Sequence, residues 1–225
     1  MNFPVDNLEL SVELDPRSFG EEWAVALGKS GVSRVSLGVQ TFDAAIQQRI
    51  GRVQPTDTIR TALARLRRHG IGSVNFDLMY GLPFQTGPRI SDSVQKLLTL
   101  SPDRVALYGY AHVPWMSRRQ QLIPSDAMPT PEERLSLFET ARKLFLWDGY
   151  VEIGIDHFAK PEDGMAKALK AGTLRRNFQG YTEDTSPVLI GLGASSISRF
   201  PQGYAQNASG TARSEEHTSE LQSLT

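Results

Sequence analysis

Strand-like and helix-like segments alternate along this sequence, with strands recurring every 25 to 45 residues or so, roughly, and that rhythm leaves few folds open. Successive strands separated by a helix lie parallel and are joined by right-handed crossovers. The plainest strand lies within Val74 to Thr86, V-N-F-D-L-M-Y-G-L-P-F-Q-T. Val74, Phe76 and Leu78 alternate with Asn75, Asp77 and Met79, a period of two that places aliphatic side chains on one face and Asp77 on the other. Gly81 and Pro83 then stop the strand and open a loop.

Other segments repeat the pattern. Leu8, Leu10, Val12 and Leu14 alternate with polar residues until Pro16, and a helix is expected from about Phe19 to Lys29, with Trp23, Ala26 and Leu27 as its apolar positions. Val35, Leu37 and Val39 mark a second strand, with Ser36, Gly38 and Gln40 on its other face. A short helix around Asp43 to Ile50 and a longer one from Pro55 to His69 follow, the latter with Pro-Thr-Asp at its start and Gly70 at its end. After the central strand come a helix near Ile90 to Leu100 and a strand from Arg104 to His112. A helix from Pro131 to Trp147, a fifth strand from Val151 to Phe158, and a glycine-rich sixth strand and turn within Val188 to Ser198 complete the pattern.

A doubly wound open sheet and a barrel both satisfy this order. Central strands of an open sheet are buried on both faces and read as continuous apolar runs. Each strand here keeps one polar or small-residue face, which fits a wide or partly open barrel whose lumen holds a ligand. In such barrels the carboxyl ends of the strands carry the site. Glu13, Gln40, Asp77 and His112 lie near those ends, on the non-aliphatic sides of four strands. Singly, each is as readily explained as a cap or a loop contact; four from four successive strands are harder to explain so. Such a set suits hydrogen bonding to hydroxyls and amines better than nucleophilic attack. No G-x-S-x-G, P-loop, H-E-x-x-H or G-x-G-x-x-G motif opening a helix is present. Gly191 and Gly193 allow close backbone approach to a ligand, although tight packing explains them as well.

Composition narrows the chemistry. The chain has 225 residues, 40% of them hydrophobic, and a net charge of −1, so neither nucleic acid nor a membrane surface is an expected partner. No apolar run approaches the roughly 20 residues that span a bilayer, and the first residues lack the pattern of a signal peptide. There is no cysteine, which excludes disulfides and any thiolate-ligated metal or cluster held by these residues alone.

Seven motifs then carry a resemblance: S-V-E-L-D-P-R (11 to 17), S-L-G-V-Q-T-F (36 to 42), F-D-L-M-Y-G-L-P-F-Q-T (76 to 86), Y-A-H-V-P (110 to 114), D-H-F-A-K-P-E-D (156 to 163), R-N-F-Q-G-Y-T (176 to 182) and Y-A-Q-N (204 to 207). In this order they resemble the oxygen-independent coproporphyrinogen III oxidases of the radical S-adenosylmethionine (SAM) superfamily. The first three are shared across many radical enzymes; D-H-F-A-K-P-E-D and N-F-Q-G-Y-T are far more particular to the oxidases. The resemblance implies an α/β fold, an incomplete TIM-like (β/α)6 radical-SAM barrel, followed by the start of the family's C-terminal region. It also implies a [4Fe–4S] cluster and two molecules of SAM in the parent protein. The implied reaction forms a 5′-deoxyadenosyl radical that takes hydrogen from a propionate; loss of CO2 and an electron leaves a vinyl group, converting coproporphyrinogen III to protoporphyrinogen IX in heme synthesis. Position by position, Glu13 and Ile197 match contacts to the first SAM, and Gln40, Arg52, Asp77 and Ala111 match contacts to the second, Ala111 through its backbone. The implied partners are coproporphyrinogen III and an electron donor, in a cytoplasmic monomer.

Departures from the family shape further expectations. Its C-x-x-x-C-x-x-C loop and G-G-G-T-P segment have no counterpart here, and the family continues past Asn207. The expected organisation is a partial barrel over 1–117, a barrel-covering helix, strand and loop region over 118–212, and a non-native tail over 213–225. The tail, R-S-E-E-H-T-S-E-L-Q-S-L-T, resembles the translation of a sequencing-library adapter, and the chain then reads as an internal piece of a longer gene, lacking the first barrel strands. Two other classes compete: the related radical-SAM heme chaperone, expected to lack D-P-R and N-F-Q-G-Y-T, and a stand-alone binding module. The missing cysteines generate a prediction. Anaerobic reconstitution of this chain with iron and sulfide should yield no stoichiometric cluster absorbance near ~400 nm, because no thiolate is available to bind one.

Overall fold

The computed structural model describes residues 8–115 and 120–209, which fall into two compact units divided between Leu174 and Arg175. The first contains β1 (Leu10–Leu14), α1 (Glu21–Lys29), β2 (Val32–Gln40), α2 (Ala44–Arg49), α3 (Thr56–Arg68), β3 (Ser73–Tyr80), α4 (Gly87–Leu100), β4 (Arg104–Gly109), α5 (Pro131–Trp147), β5 (Val151–Glu152), β6 (His157–Ala159) and α6 (Gly164–Lys170). Its six strands form one sheet in the order β1-β2-β3-β4-β6-β5. The first four strands pair in parallel through helical crossovers. The expected α/β class therefore forms. The expected boundaries at 117 and 212, and the tail 213–225, lie outside the described residues.

Alternation along the strands sorts side chains into two faces. Val35, Leu37, Val74, Phe76, Leu78, Val105, Leu107 and Phe158 are all buried on one of them. Helices supply the other side of that core through Ala24 and Leu27, Ile59, Ala62 and Leu66, Ile90, Val94 and Leu97, and Leu137, Ala141 and Phe145. Each set recurs at three or four residues, the spacing of one helix face. In α1 the buried stripe is Ala24 and Leu27; the expected positions Trp23 and Ala26 face outward, Trp23 being 61% exposed. Helix α5 starts with a capping box in which Thr130 and Glu133 satisfy each other's backbone N–H groups. Its Phe145 ring packs 4.9 Å from Phe158, and Tyr80 meets Phe138 at 5.5 Å, so α5 lies against the aliphatic face.

The strand expected from Val151 to Phe158 is two strands. Gly154, at φ 147, turns the chain, and the Ile153 N–H donates to the His157 carbonyl at 2.8 Å to close a hairpin. β6 consequently runs antiparallel to β4 as well as to β5. The strand expected to reach His112 ends at Gly109. Motif D-H-F-A-K-P-E-D fastens this edge. Asp163 caps α6 through the Met165 N–H at 2.8 Å, while its other oxygen accepts from Arg104 Nε at 2.7 Å in an almost fully buried ion pair. Lys160 reaches back to the Ser101 carbonyl at 3.0 Å.

The second unit holds two hairpins, β7 (Arg175–Asn177) with β8 (Gly180–Thr182) and β9 (Ile197–Phe200) with β10 (Gly203–Gln206). The sixth strand expected within Val188 to Ser198 is not there; Leu189 makes only an isolated bridge to Arg199, and regular pairing begins at Ile197. Gly191 lies so near this strand that a Cβ on it would meet the Ile197 carbonyl oxygen at 2.8 Å. Close packing of two backbones is therefore one use of that glycine.

The two-faced sheet leads to a stability prediction. Leu78, 1% exposed at the centre of the aliphatic face, should cost about 2 to 5 kcal/mol when cut to alanine. Trp23→Ala, on the outward side of α1, should stay within about 0.5 kcal/mol. Paired urea denaturation curves measure both; equal losses would contradict the assignment of faces.

Candidate functional site

The second face of the sheet is where the sequence placed its polar residues. Glu13 of β1 lies opposite Ser36 of β2, which lies opposite Asn75 of β3. One polar position further along β3 is Asp77, flanked by Gly38 on β2 and Ala106 on β4. Ala106 in turn pairs with His157 on β6. Neither neighbour of Asp77 has a side chain longer than a methyl group.

Its orientation is set by two donors. Ser36 Oγ donates to Asp77 Oδ2 at 3.1 Å, and Asn75 Nδ2 donates to Oδ1 at 2.8 Å. Asn75 Nδ2 also donates to Ser36 Oγ at 2.8 Å, closing a three-residue network across two strands. Burial raises the Asp77 pKa above the ordinary 3.8; the Ser36 and Asn75 hydrogen bonds oppose that, and Glu13 adds to it. Beside it, burial and the carboxylates of Asp77, Asp156 and Glu13 push the Tyr108 hydroxyl up to about 12, so it stays a hydrogen-bond donor at neutral pH. Tyr108 meets the His157 ring edge-on at 5.9 Å, and His157 Nδ1 lies 2.6 Å from Asp156 Oδ1. The amide oxygen of Asn75 is buried with no partner among the described residues. An orphaned acceptor beside an oriented carboxylate is a place for a ligand's hydroxyl or ammonium donors.

A second group forms where β2 ends. The register slips between Gly38 and Gln40, and Gln40 takes φ 67, a left-handed conformation uncommon for a residue with a Cβ. Gln40 Nε2 and Arg52 Nη2 both lie 3.1 Å from where a Cβ on Gly38 would stand, so the glycine lets both side chains close over the strand. Arg52 Nη2 donates to the Gly38 carbonyl at 2.9 Å and stands 3.3 Å from Asp15, while its Nε is buried without a partner among the described residues. Burial lowers the Arg52 pKa, with Asp15 opposing. Asp15 is itself gripped by Arg17 through Nε and Nη2, the latter at 2.6 Å, and that hydrogen bond holds its carboxyl below the usual range.

The expected residues therefore fall into distinct places. Glu13 and Asp77 share the polar face; Gln40 and Arg52 meet at Gly38. Ala111 and His112 belong to the loop after β4, where the Ala111 carbonyl accepts from Gln120 Nε2 at 3.2 Å and His112 Nε2 lies 3.3 Å from Ser125 Oγ. Ile197 sits on β9 in the second unit, opposite Gln206. Ser36, Asn75 and Asp15 were not singled out as functional, although Asn75 and Asp77 share a strand face at i and i+2, a spacing that reveals them together. Among the described residues no cluster of three or more His, Asp or Glu could hold a metal ion.

Residues 5–97 match the radical SAM superfamily. The chain carries a radical SAM domain. Across 210 residues, 93% of this chain, it is 62% identical to the oxygen-independent coproporphyrinogen III oxidase of Paracoccus denitrificans, covering 47% of that relative. The corresponding protein of Cereibacter sphaeroides is 56% identical over 204 residues, 91% of this chain and 45% of the relative. Coproporphyrinogen III oxidase of Escherichia coli, a radical SAM enzyme, superposes with a TM-score of 0.90 at 35% identity over 96% of this chain and 52% of that one. The chain spans about half the length of the curated relatives it matches. No described helix is long and apolar enough to cross a membrane.

Asp77 in this radical SAM domain should leave a signature in stability against pH. Its folded pKa lies above the ordinary 3.8, so the folded state binds more protons than the unfolded state from that value up to the raised one. Across that window its contribution to stability falls as pH rises. Asp77→Asn should therefore gain stability relative to the unsubstituted chain as pH goes from acid to neutral, with the denaturation midpoints of the two proteins as the readout. A relative loss over the same window would reverse the sign argued from burial.

Proposed function

We propose that the protein to which this radical SAM domain belongs is an oxygen-independent coproporphyrinogen III oxidase. It converts two propionate side chains of coproporphyrinogen III to vinyl groups, giving protoporphyrinogen IX. The observation that carries this reading is the 62% identity, over 93% of the chain, to a relative named for that activity. The working form is a cytoplasmic monomer that takes electrons from a separate donor.

The residues present suit SAM. An oriented carboxylate at Asp77, the orphaned Asn75 amide oxygen and the exposed Glu13 are acceptors for ribose hydroxyls or an α-ammonium. Arg52, whose buried Nε has no partner among the described residues, is a donor for a carboxylate. In this reading Glu13 and Ile197 hold one SAM, and Gln40, Arg52, Asp77 and the Ala111 backbone hold the other. When bound, SAM together with a [4Fe–4S] cluster would supply the radical chemistry that takes hydrogen from the propionate. The thiolates of that cluster are not among these residues, since the chain has no cysteine. What these residues contribute is binding and orientation: the Ser36–Asn75–Asp77 network fixes the direction of the carboxylate before the cofactor arrives, so little side-chain entropy remains to be lost.

The test uses a complete polypeptide with its cluster assembled. It should decarboxylate coproporphyrinogen III anaerobically with SAM, and failure to do so would overturn the assignment. Asp77→Asn should weaken SAM binding by about five- to thirtyfold, or roughly 1 to 2 kcal/mol, because a charge-assisted hydrogen bond becomes a neutral one. The unfolding midpoint at neutral pH should not fall. Equilibrium dialysis with labelled SAM gives the first quantity and a thermal melt the second; unchanged affinity with a lowered midpoint would make Asp77 structural.

A further inference from the structure

The second unit contains a polar recess that none of the roles above uses. Arg175, Arg176 and Asn177 of β7, Thr182 of β8, Asp184 beyond it and Arg199 of β9 line it. Three arginines and one aspartate thus line it. Among the described residues none of the three is in an ion pair. Arg176 stacks over the Tyr181 ring with its guanidinium carbon 5.5 Å from the centroid, and Arg199 gives one hydrogen bond, to the Ser186 carbonyl at 3.2 Å. Asp184 accepts the Ser186 N–H at 2.8 Å, and that contact, with the charges of Arg199 and Arg175, holds its carboxyl below the usual range, so one carboxylate partly offsets the three arginines.

Fixed forks of N–H donors with a surplus of positive charge match a planar oxyanion in two-point contact. We propose that this recess binds a carboxylate, one of the propionates of the substrate, through Arg175 and Arg199. The inference rests on the reading of the protein as a coproporphyrinogen III oxidase and deepens it. A substrate with four carboxylates needs cationic seats for the propionates that are not reacting. The polar face of the sheet offers the opposite charge, with Glu13, Asp77 and Asp156 gathered around Tyr108. The α-carboxylate of SAM is the other carboxylate in the reaction, and Ile197 shares a face of β9 with Arg199, two residues on. Arg52 is the donor for the carboxylate of one SAM; the carboxylate of the SAM placed at Ile197 is the competing occupant, and a separate SAM probe distinguishes it from a propionate.

The experiment takes the chain as it is, with coproporphyrin III, its tetramethyl ester and SAM as separate probes, followed by porphyrin fluorescence and by equilibrium dialysis. Arg175→Gln removes an exposed group whose side chain makes no hydrogen bond among the described residues, so folding, checked by circular dichroism, should be unaffected. Expected are tighter binding of the acid than of the ester, a loss of about tenfold for the acid in Arg175→Gln, and partial recovery in Arg175→Lys. Arg199→Gln, measured independently, should show the same preference. Ester and SAM affinities should not move. Unchanged acid affinity in both glutamine variants, equal binding of acid and ester, or no porphyrin binding by the unsubstituted chain would each overturn the proposal. A fall in SAM affinity alone would give the recess to the cofactor instead and overturn it too. The oxidase reading is judged separately, by turnover of coproporphyrinogen III in the complete polypeptide, so the two can fail independently.

Discussion

Period-two alternation in β1 to β4 separates this domain into an aliphatic face and a polar face, and everything else follows from which is covered. Phe76, Leu78, Val105 and Leu107 are removed from water only because α1, α3, α4 and α5 lie against them. At about 25 cal/mol per Å2 of apolar surface, that burial is the main favourable term in folding. The opposite side of the same strands is thereby released from packing duty. Residues there can be chosen for chemistry, and Ser36, Asn75, Asp77 and Tyr108 occur on it with half-buried or exposed side chains.

That face is polar without being self-satisfied. A network that met all its own hydrogen-bonding needs would read as structural. This one stops short: among the described residues the buried Asn75 amide oxygen and Arg52 Nε have no partner, and burial wins over hydrogen bonding at Asp77. Ala106 sets only a methyl group beside Asp77, and Gly38 admits Gln40 and Arg52. Small residues beside oriented polar ones are what a bound molecule requires of a wall.

Motif D-H-F-A-K-P-E-D shows how one stretch serves two ends. Its first half presents Asp156 and His157 beside Tyr108; its second half buries Asp163 against Arg104 and caps α6. A buried pair of this kind is costly to break, because removing either partner leaves a charge in a medium that solvates it poorly. The stretch therefore fixes the antiparallel edge of the sheet while placing an imidazole on the polar face.

Much of this was legible in the residues. Alternation located β1, β2 and β3, helical spacing with Pro and Gly at the ends located α3 and α5, and the shared face of Asn75 and Asp77 follows from i and i+2 alone. Motif order pointed to the radical SAM superfamily before any coordinates. The turn at Gly154 was not legible, because an apolar run broken by one glycine reads equally as one strand or two. The slip at Gly38 and Gln40 was not legible either: a bulge is set by pairing with β3, which lies more than thirty residues away. Local periodicity reports which face a side chain takes. Which side chains end up sharing a carboxylate depends on register between distant strands, and register is a property of the assembled sheet.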